Sequence, residues 1–263
     1  EDWLYENKST SIKIDKTVLD KKPQHAAYIT LPGSGAEASN TAVLNIHNFK
    51  SFIICKSFMP DHIVYLNDLL KNLDDKNVFY SLLDSLTHGI ESLFSPLKTT
   101  LSESLSISTI DIVYNFVQQE NVFPYLHNKI KGKRLAMASL YGGLAQSDAG
   151  SGLSHALAHS AEQLFGVTHR EAISHFSYLC FKHNVLVNEN IYLEKHSDEN
   201  LFKKIKYIYK IIDEQISLNS KVLISKFKLK QNIDNLIDLA KKDICWRLNI
   251  VKPQEEIIKS LLK

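Results

Sequence analysis

The stretch GLSHALAHSAEQLFGVTH, residues 152–169, contains three of the eleven histidines in this 263-residue chain. His155 and His159 are four residues apart, and this spacing places two side chains on the same face of a helix. Small and apolar residues surround them, and imidazoles in such a setting need polar partners. The stretch therefore predicts a helix with two neighbouring, partly buried imidazoles, followed at once by His169.

A second pair with the same spacing occurs earlier in the chain. Asp84 and His88 lie in NVFYSLLDSLTHGIESLFS, residues 77–95, whose apolar residues recur at helical intervals. Two such helices together with His169 can surround one divalent cation with one carboxylate and two or three imidazoles. This ligand set suits Fe(II) or Zn(II) and suits calcium or magnesium poorly. The spacing alone also occurs by chance on exposed helices, and Asp84 with His88 could be a local ion pair.

The rest of the chain predicts a mainly α fold with a short β segment. Residues 26–58 have the alternation and turn residues of short strands, including a hairpin around residues 47–48. Helical patterns follow from about Pro60 to the C-terminus. One of them contains Gly142 and Gly143, which cost about 1 kcal/mol each relative to alanine, so we expect a packing or site requirement there.

Composition excludes some functions. Thirty-one basic and 29 acidic residues give a net charge of +2, which provides no general reason to expect nucleic acid or a membrane surface as partner. No apolar run approaches the roughly 18 residues of a membrane span. The three cysteines fit no metal or disulfide pattern, so we expect reduced thiols in a cytoplasmic protein.

These features together resemble the iron-containing (group III) alcohol dehydrogenases, which share a fold with glycerol dehydrogenase and dehydroquinate synthase. The family segment D-A-L-x-H-x-I-E is similar to DSLTHGIES, which begins at Asp84 and contains His88 and Glu91. The family segment G-x-x-H-x-x-A-H is similar to GLSHALAH, which contains His155 and His159. The family's last ligand follows fourteen residues after the first of these histidines, at His169 here.

The resemblance implies the roles of these residues. Asp84, His88, His155 and His169 would bind Fe(II) or Zn(II), and His159 would lie on the proton path. Thr168 and Arg170 replace the proline and glycine that usually flank the last ligand.

A glycine-rich turn, LPGSGAEAS at residues 31–39, is similar to the family stretch that lines the cofactor. Its glycines permit close backbone approach and its serines offer hydroxyl groups, although an ordinary tight turn would have the same composition. The cofactor-binding residues implied by the resemblance are Thr30, Gly33, Ser34, Gly35, Ser39 and Lys50.

The family's G-G-G-S pyrophosphate loop does not occur in these 263 residues. We therefore expect residues 1–58 to be a remnant of the N-terminal α/β nucleotide-binding domain and residues 59–263 to be the helical metal-binding catalytic domain. NAD(P) would bind only if the N-terminal domain is supplied, and a homodimer or a complementing domain is a possible partner.

The predicted function is metal-dependent, NAD(P)-linked oxidation of an alcohol or a sugar-acid hydroxyl to a carbonyl. A branch that acts on C8 of a 3-deoxy-octulosonic acid is one possibility. The alternative is a non-catalytic helical protein that binds a metal or a partner.

Overall fold

The structure is a computed structural model. It describes residues 23–46, 49–70, 73–118, 129–188, 190, 199–226 and 231–262. None of the helices in these ranges is both long enough and apolar enough to cross a membrane. The three cysteines are buried and free, as predicted.

The strands are β1 (Ala26–Ile29), β2 (Thr41–Ile46), β3 (Phe49–Ile54) and β4 (His62–Tyr65). The helices are α1 (Asn67–Leu70), α2 (Asp75–Leu93), α3 (Thr100–Gln118), α4 (Lys129–Ala149), α5 (Leu153–Phe165), α6 (His169–Val187), α7 (Glu199–Lys226), α8 (Ile233–Ala240), α9 (Ile244–Arg247) and α10 (Glu255–Leu262). A mainly α fold with a short β segment is therefore confirmed.

The β segment consists of two small sheets. Strands β2 and β3 form the predicted antiparallel hairpin, with Thr41 opposite Ile54 and Ile46 opposite Phe49. Strand β1 pairs in parallel with β4, which follows residue 58. The division of the chain into residues 1–58 and 59–263 stays a prediction.

Helix α2 lies at the centre of the helical body. Its N-terminus is capped by Asp74, whose carboxylate accepts from the Asn77 N–H at 2.8 Å. Leu83 and Leu86 are fully buried, and each contributes about 1.5–3 kcal/mol through removal from water. Polar side chains in the second half of α2 are also buried, and the Thr87 hydroxyl donates to the Leu83 carbonyl at 2.6 Å. The surrounding helices therefore enclose α2 from Val78 to Ile90 and fix its position.

The glycine-rich turn packs directly on α4. A Cβ on Gly143 would lie 2.4 Å from the Gly35 carbonyl oxygen, and a Cβ on Gly142 would lie 3.0 Å from the Ser85 carbonyl oxygen. The Gly33 and Gly35 N–H groups both donate to the Ser139 hydroxyl on α4, at 2.7 and 3.1 Å. The packing requirement predicted for the paired glycines of α4 is thereby confirmed.

Candidate metal centre

Four polar side chains from three helices converge in the interior. Asp84 and His88 project from α2, His155 from α5 and His169 from the first residue of α6. Asp84 Oδ1 lies 3.9 Å from Nε2 of His88, 3.9 Å from Nε2 of His155 and 3.8 Å from Nε2 of His169. In a tetrahedral site with bonds of about 2.1 Å the ligand atoms lie about 3.4 Å apart, so these spacings are close to those of a four-ligand site.

The buried carboxylate of Asp84 supplies the test of whether a cation fits here. Its side chain is 1% exposed, and Oδ1 has no hydrogen-bond partner among the described residues. An unpaired carboxylate oxygen costs several kcal/mol in such a setting unless a positive charge compensates it. A divalent cation between Oδ1 and the imidazole nitrogens would remove that cost, and the donor set suits Fe(II) or Zn(II).

Glu91, one turn beyond His88 on α2, orients the first histidine of α5. Its carboxylate accepts from the backbone N–H groups of Gly152 and Ser154, both at 2.7 Å, at the start of that helix. Oε2 also lies 2.6 Å from Nδ1 of His155. A proton on Nδ1 leaves Nε2 with its lone pair toward Asp84, which is the usual arrangement of a metal-bound histidine.

The turn between α5 and α6 places the last histidine. Helix α5 ends at Gly166, whose left-handed conformation (φ +65°) suits glycine. Thr168 then caps α6 in a capping box with Glu171, so that His169 is the first helical residue. Nδ1 of His169 lies 2.7 Å from Oε1 of Glu162, which orients this imidazole as Glu91 orients the other.

His159 lies beside the four converging side chains. Its ring centroid is 5.9 Å from that of His155 and 5.4 Å from that of His169. Nδ1 of His159 lies 2.8 Å from Oδ2 of Asp243, and both side chains are largely buried. His159 is thus held by its own carboxylate while it lines the cavity beside the cluster.

Burial and the neighbouring carboxylates set the charges of this region. Burial lowers the pKa of His88 to about 3, so this imidazole is neutral at pH 7. Burial also acts to lower the pKa of His155, but the effect of the adjacent Glu91 carboxylate is larger. The net result is a raised pKa for His155. For Glu91 itself, burial raises the pKa, but His155 and the two backbone N–H groups more than offset this and the pKa is lowered.

A cavity of about 810 Å³ connects the histidines with the β segment. Its polar lining includes Ser34 and Ser39 from the glycine-rich turn, and its apolar lining includes Val43, Leu97 and Leu248. A cavity of this size accommodates a small-molecule substrate or part of a cofactor.

The other residues predicted to bind a cofactor lie as follows. Thr30 is exposed at the end of β1, and the cavity lining does not include it. The Gly33 and Gly35 N–H groups already donate to Ser139. Lys50 lies in β3 opposite Asn45, but its side chain is outside the part of the chain that the structure describes.

Two carboxylates that contact the histidines were not predicted from the sequence. Glu162 belongs to neither of the four-residue pairs, and Asp243 is 84 residues from the histidine that it contacts. The start of α6 at His169 could have been predicted from the sequence, because Thr168 and Glu171 have the spacing of a capping box.

A buried carboxylate and three imidazoles on a helical body define a candidate divalent-cation site. Comparison with known proteins identifies a metal-containing family. The model of the Fe-containing alcohol dehydrogenase family, C-terminal part, matches residues 78–263. The chain belongs to this family.

Named relatives are similar over much of the chain. Alcohol dehydrogenase 4 of Schizosaccharomyces pombe is 23% identical over 267 residues, which cover 95% of this chain and 60% of that protein. Probable alcohol dehydrogenase EutG of Escherichia coli is 27% identical over 164 residues, which cover 61% of this chain and 41% of that protein.

Solved structures of the family have the same fold. The iron-containing alcohol dehydrogenase of Thermococcus thioreducens superposes with a TM-score of 0.73 at 21% identity, covering 90% of this chain and 63% of that one. A 1,3-propanediol oxidoreductase gives a TM-score of 0.75 at 19% identity, covering 90% and 64%. The chain thus spans less than two thirds of the length of these proteins.

Proposed function

We propose that this chain is the metal-binding part of a metal-dependent, NAD(P)-linked alcohol dehydrogenase. The observation that supports the proposal most strongly is the convergence of Asp84 Oδ1 with three imidazole Nε2 atoms at 3.8–3.9 Å. The reaction would oxidise the hydroxyl of a small alcohol or sugar acid to a carbonyl by hydride transfer to NAD(P)⁺.

Asp84, His88, His155 and His169 would hold Fe(II) or Zn(II). Such a cation acts as a Lewis acid that lowers the pKa of a substrate hydroxyl. The protein's contribution is to fix the ligands: Glu91 holds Nδ1 of His155 at 2.6 Å and thereby directs its Nε2 toward the cation.

His159 would take up the proton that the substrate hydroxyl loses. Its Nδ1 is held by Asp243 at 2.8 Å, and we assign the exchange of the proton to Nε2. Its pKa is lowered by burial, against the opposing effect of Asp243, so it is neutral and able to accept a proton at pH 7.

The cavity beside the histidines would receive the substrate and the nicotinamide end of the cofactor. The hydroxyl groups of Ser34 and Ser39 lie in its wall and offer hydrogen bonds to both. We further propose that a nucleotide-binding part completes the cofactor site, and that residues 1–58 belong with it. Relatives act on small hydroxylated molecules by name, including a 4-hydroxybutyrate dehydrogenase of Clostridium kluyveri at 26% identity.

Two substitutions test the assigned roles. His155→Ala should abolish stoichiometric metal at the Asp84 cluster, because it removes one of the four ligands. His159→Ala should retain the metal and lose alcohol-dependent reduction of NAD(P)⁺ by a factor of about 10²–10⁴, the usual contribution of a general base. Metal content is measured by elemental analysis after dialysis.

Equal metal content in wild type and His155→Ala would contradict the metal assignment. Stoichiometric metal without any alcohol-dependent turnover, in the presence of a complementing nucleotide-binding part, would contradict the enzymatic proposal. That outcome would favour a non-catalytic metal-binding protein.

A further inference from the structure

A second group of cation ligands lies beside the first and contains sulfur. His159, Asp243 and Cys245 each offer one ligand atom, and these atoms all lie within 4.8 Å of one another. All three side chains are buried or nearly so, with Asp243 8% and His159 11% exposed. An imidazole, a carboxylate and a thiol are together a donor set that favours Zn(II) and its heavier congener Cd(II).

Two of the three donors are held in place by α9, and His159 lies opposite them on α5. Asp243 caps this helix, and its Oδ1 accepts from the Cys245 N–H at 2.9 Å. The Asp243 N–H in turn donates to the Ala240 carbonyl at 3.0 Å. Oδ2 therefore faces His159 from a fixed backbone, and the thiol of Cys245 lies on the first turn beside it.

The group is accessible from the cavity. His159 and Cys245 both belong to the cavity lining. A cation can therefore enter from the same side as the substrate, and water can occupy the fourth position that three protein ligands leave open.

Charge balance also favours a second cation. Asp84, Glu91 and Asp243 are three buried carboxylates, each at most 8% exposed. One divalent cation compensates two of these negative charges. The third charge would be compensated by a second divalent cation, which would also balance the charge that Cys245 gains on losing its proton.

We propose that His159, Asp243 and Cys245 form a second, thiophilic cation site that binds Zn²⁺ or Cd²⁺ and inhibits the enzyme. On binding, the thiol of Cys245 releases its proton to solvent as the sulfur–metal bond forms. The proton on Nδ1 of His159 moves to Nε2, so that Nδ1 can bind the cation. No electrons are transferred.

That a cation at this second site inhibits the enzyme rests on the proposed function. With Nδ1 bound to a cation and Nε2 protonated, His159 can no longer accept the proton of a substrate hydroxyl. Excess thiophilic cation would thus stop turnover without removing the cation held by Asp84.

Cadmium titration tests the site without using activity. A cysteine thiolate bound to Cd²⁺ gives an ultraviolet sulfur-to-metal charge-transfer band, whereas the Asp84 cluster contains no sulfur. We expect the full chain to develop this band and to bind two Cd²⁺ ions. Asp84→Asn should keep the band and bind one.

Cys245→Ser should lose the band and bind one Cd²⁺ ion, and Asp243→Asn should weaken binding to the second site at least tenfold. Cys55→Ser is the matched control, because Cys55 is also a buried cysteine in the cavity wall, and it should keep the band. The absence of the band in wild type at saturating Cd²⁺, its persistence in Cys245→Ser, or its loss in Cys55→Ser would overturn the proposal. Since none of these readouts requires turnover, they are independent of whether the chain is a dehydrogenase.

Discussion

The Nε2 atoms of His88 and His155 lie 2.9 Å apart, in two rings stacked at a centroid distance of 4.6 Å. Two nitrogens that both present lone pairs repel each other at this distance, so one Nε2 donates a proton to the other or a cation lies between them. A divalent cation bound by both atoms would replace that shared proton. This contact joins α2 to α5 at the point where Asp84 Oδ1 faces both rings.

Replacing Asp84 with asparagine should abolish tight metal binding at the cluster of Asp84, His88, His155 and His169. The amide keeps the shape of the side chain but removes the negative charge that a buried cation needs. We expect a loss of affinity larger than the ~10–100-fold effect typical of losing a hydrogen-bond partner of a ligand. The measurement is competition with a chelator followed by elemental analysis.

The control for this substitution is Asp111→Asn, which removes an acid that pairs with Lys204 on the surface of the helical body. It should retain stoichiometric metal. Unchanged affinity in Asp84→Asn would exclude this carboxylate as a ligand.

Substituting the carboxylates that hold the histidines should weaken metal binding less severely. Glu91→Gln and Glu162→Gln should each lower the affinity by about 10–100-fold, because each removes the anion that fixes an imidazole. Glu91→Gln should also lower the free energy of unfolding by about 1–3 kcal/mol, since its amide NH₂ would face backbone N–H groups at the start of α5.

Titrating both variants with Zn²⁺ and unfolding both in urea separates the two effects. Glu162 contacts His169 at a site where the imidazole is 29% exposed, so Glu162→Gln should retain most of its stability. A Glu91→Gln variant with wild-type affinity and stability would show that this carboxylate does not organise the site.

Gly143→Ala should detach the glycine-rich turn from the helical body. The new Cβ would lie 2.4 Å from the Gly35 carbonyl oxygen, a backbone atom that cannot rotate away. We expect a loss of about 1–3 kcal/mol in the free energy of unfolding, as for other overpacked sites. Faster proteolysis within residues 31–40 should accompany it.

Gly166→Ala serves as the matched comparison, because a Cβ there meets nothing within 4 Å. This substitution should lower the free energy of unfolding by only about 1 kcal/mol, because alanine is strained in a left-handed backbone. Proteolysis of the glycine-rich turn should not increase. Equal proteolysis in the two variants would argue against the packing role of Gly143.

His175 should make the protein less stable in acid. Burial lowers its pKa from 6.5 to about 4, so the folded chain keeps it neutral. Stability is complete above pH 6.5 and falls as the pH drops toward 4, because only the unfolded chain takes up the proton there. A pKa difference of this size corresponds to a loss of about 3 kcal/mol at pH 4.

His175→Phe should therefore lose less stability than wild type between pH 7 and pH 4. Urea unfolding of both proteins at a series of pH values, with metal removed by a chelator, gives the comparison. Parallel stability curves would mean that His175 does not contribute to acid sensitivity.

Local features of the sequence were sufficient for much of the site. Asp84 with His88, and His155 with His159, could be paired from the sequence because four-residue spacing on a helix is a local geometric property. The hairpin of β2 and β3 and the helical body were predicted for the same reason, since alternation and helical periodicity are read within short windows. Family resemblance added His169 at the expected distance from His155.

Only the tertiary structure decided how these elements meet. The contacts of His155 with Glu91 and of His159 with Asp243 join residues 64 and 84 positions apart, and no local pattern specifies them. The packing of Gly35 on Gly143 is equally long-range. The sequence by itself determined which side chains share a helix face, because that depends on the geometry of one helix. Which carboxylate fixes which imidazole depends on how the helices pack around α2, which many distant contacts decide together.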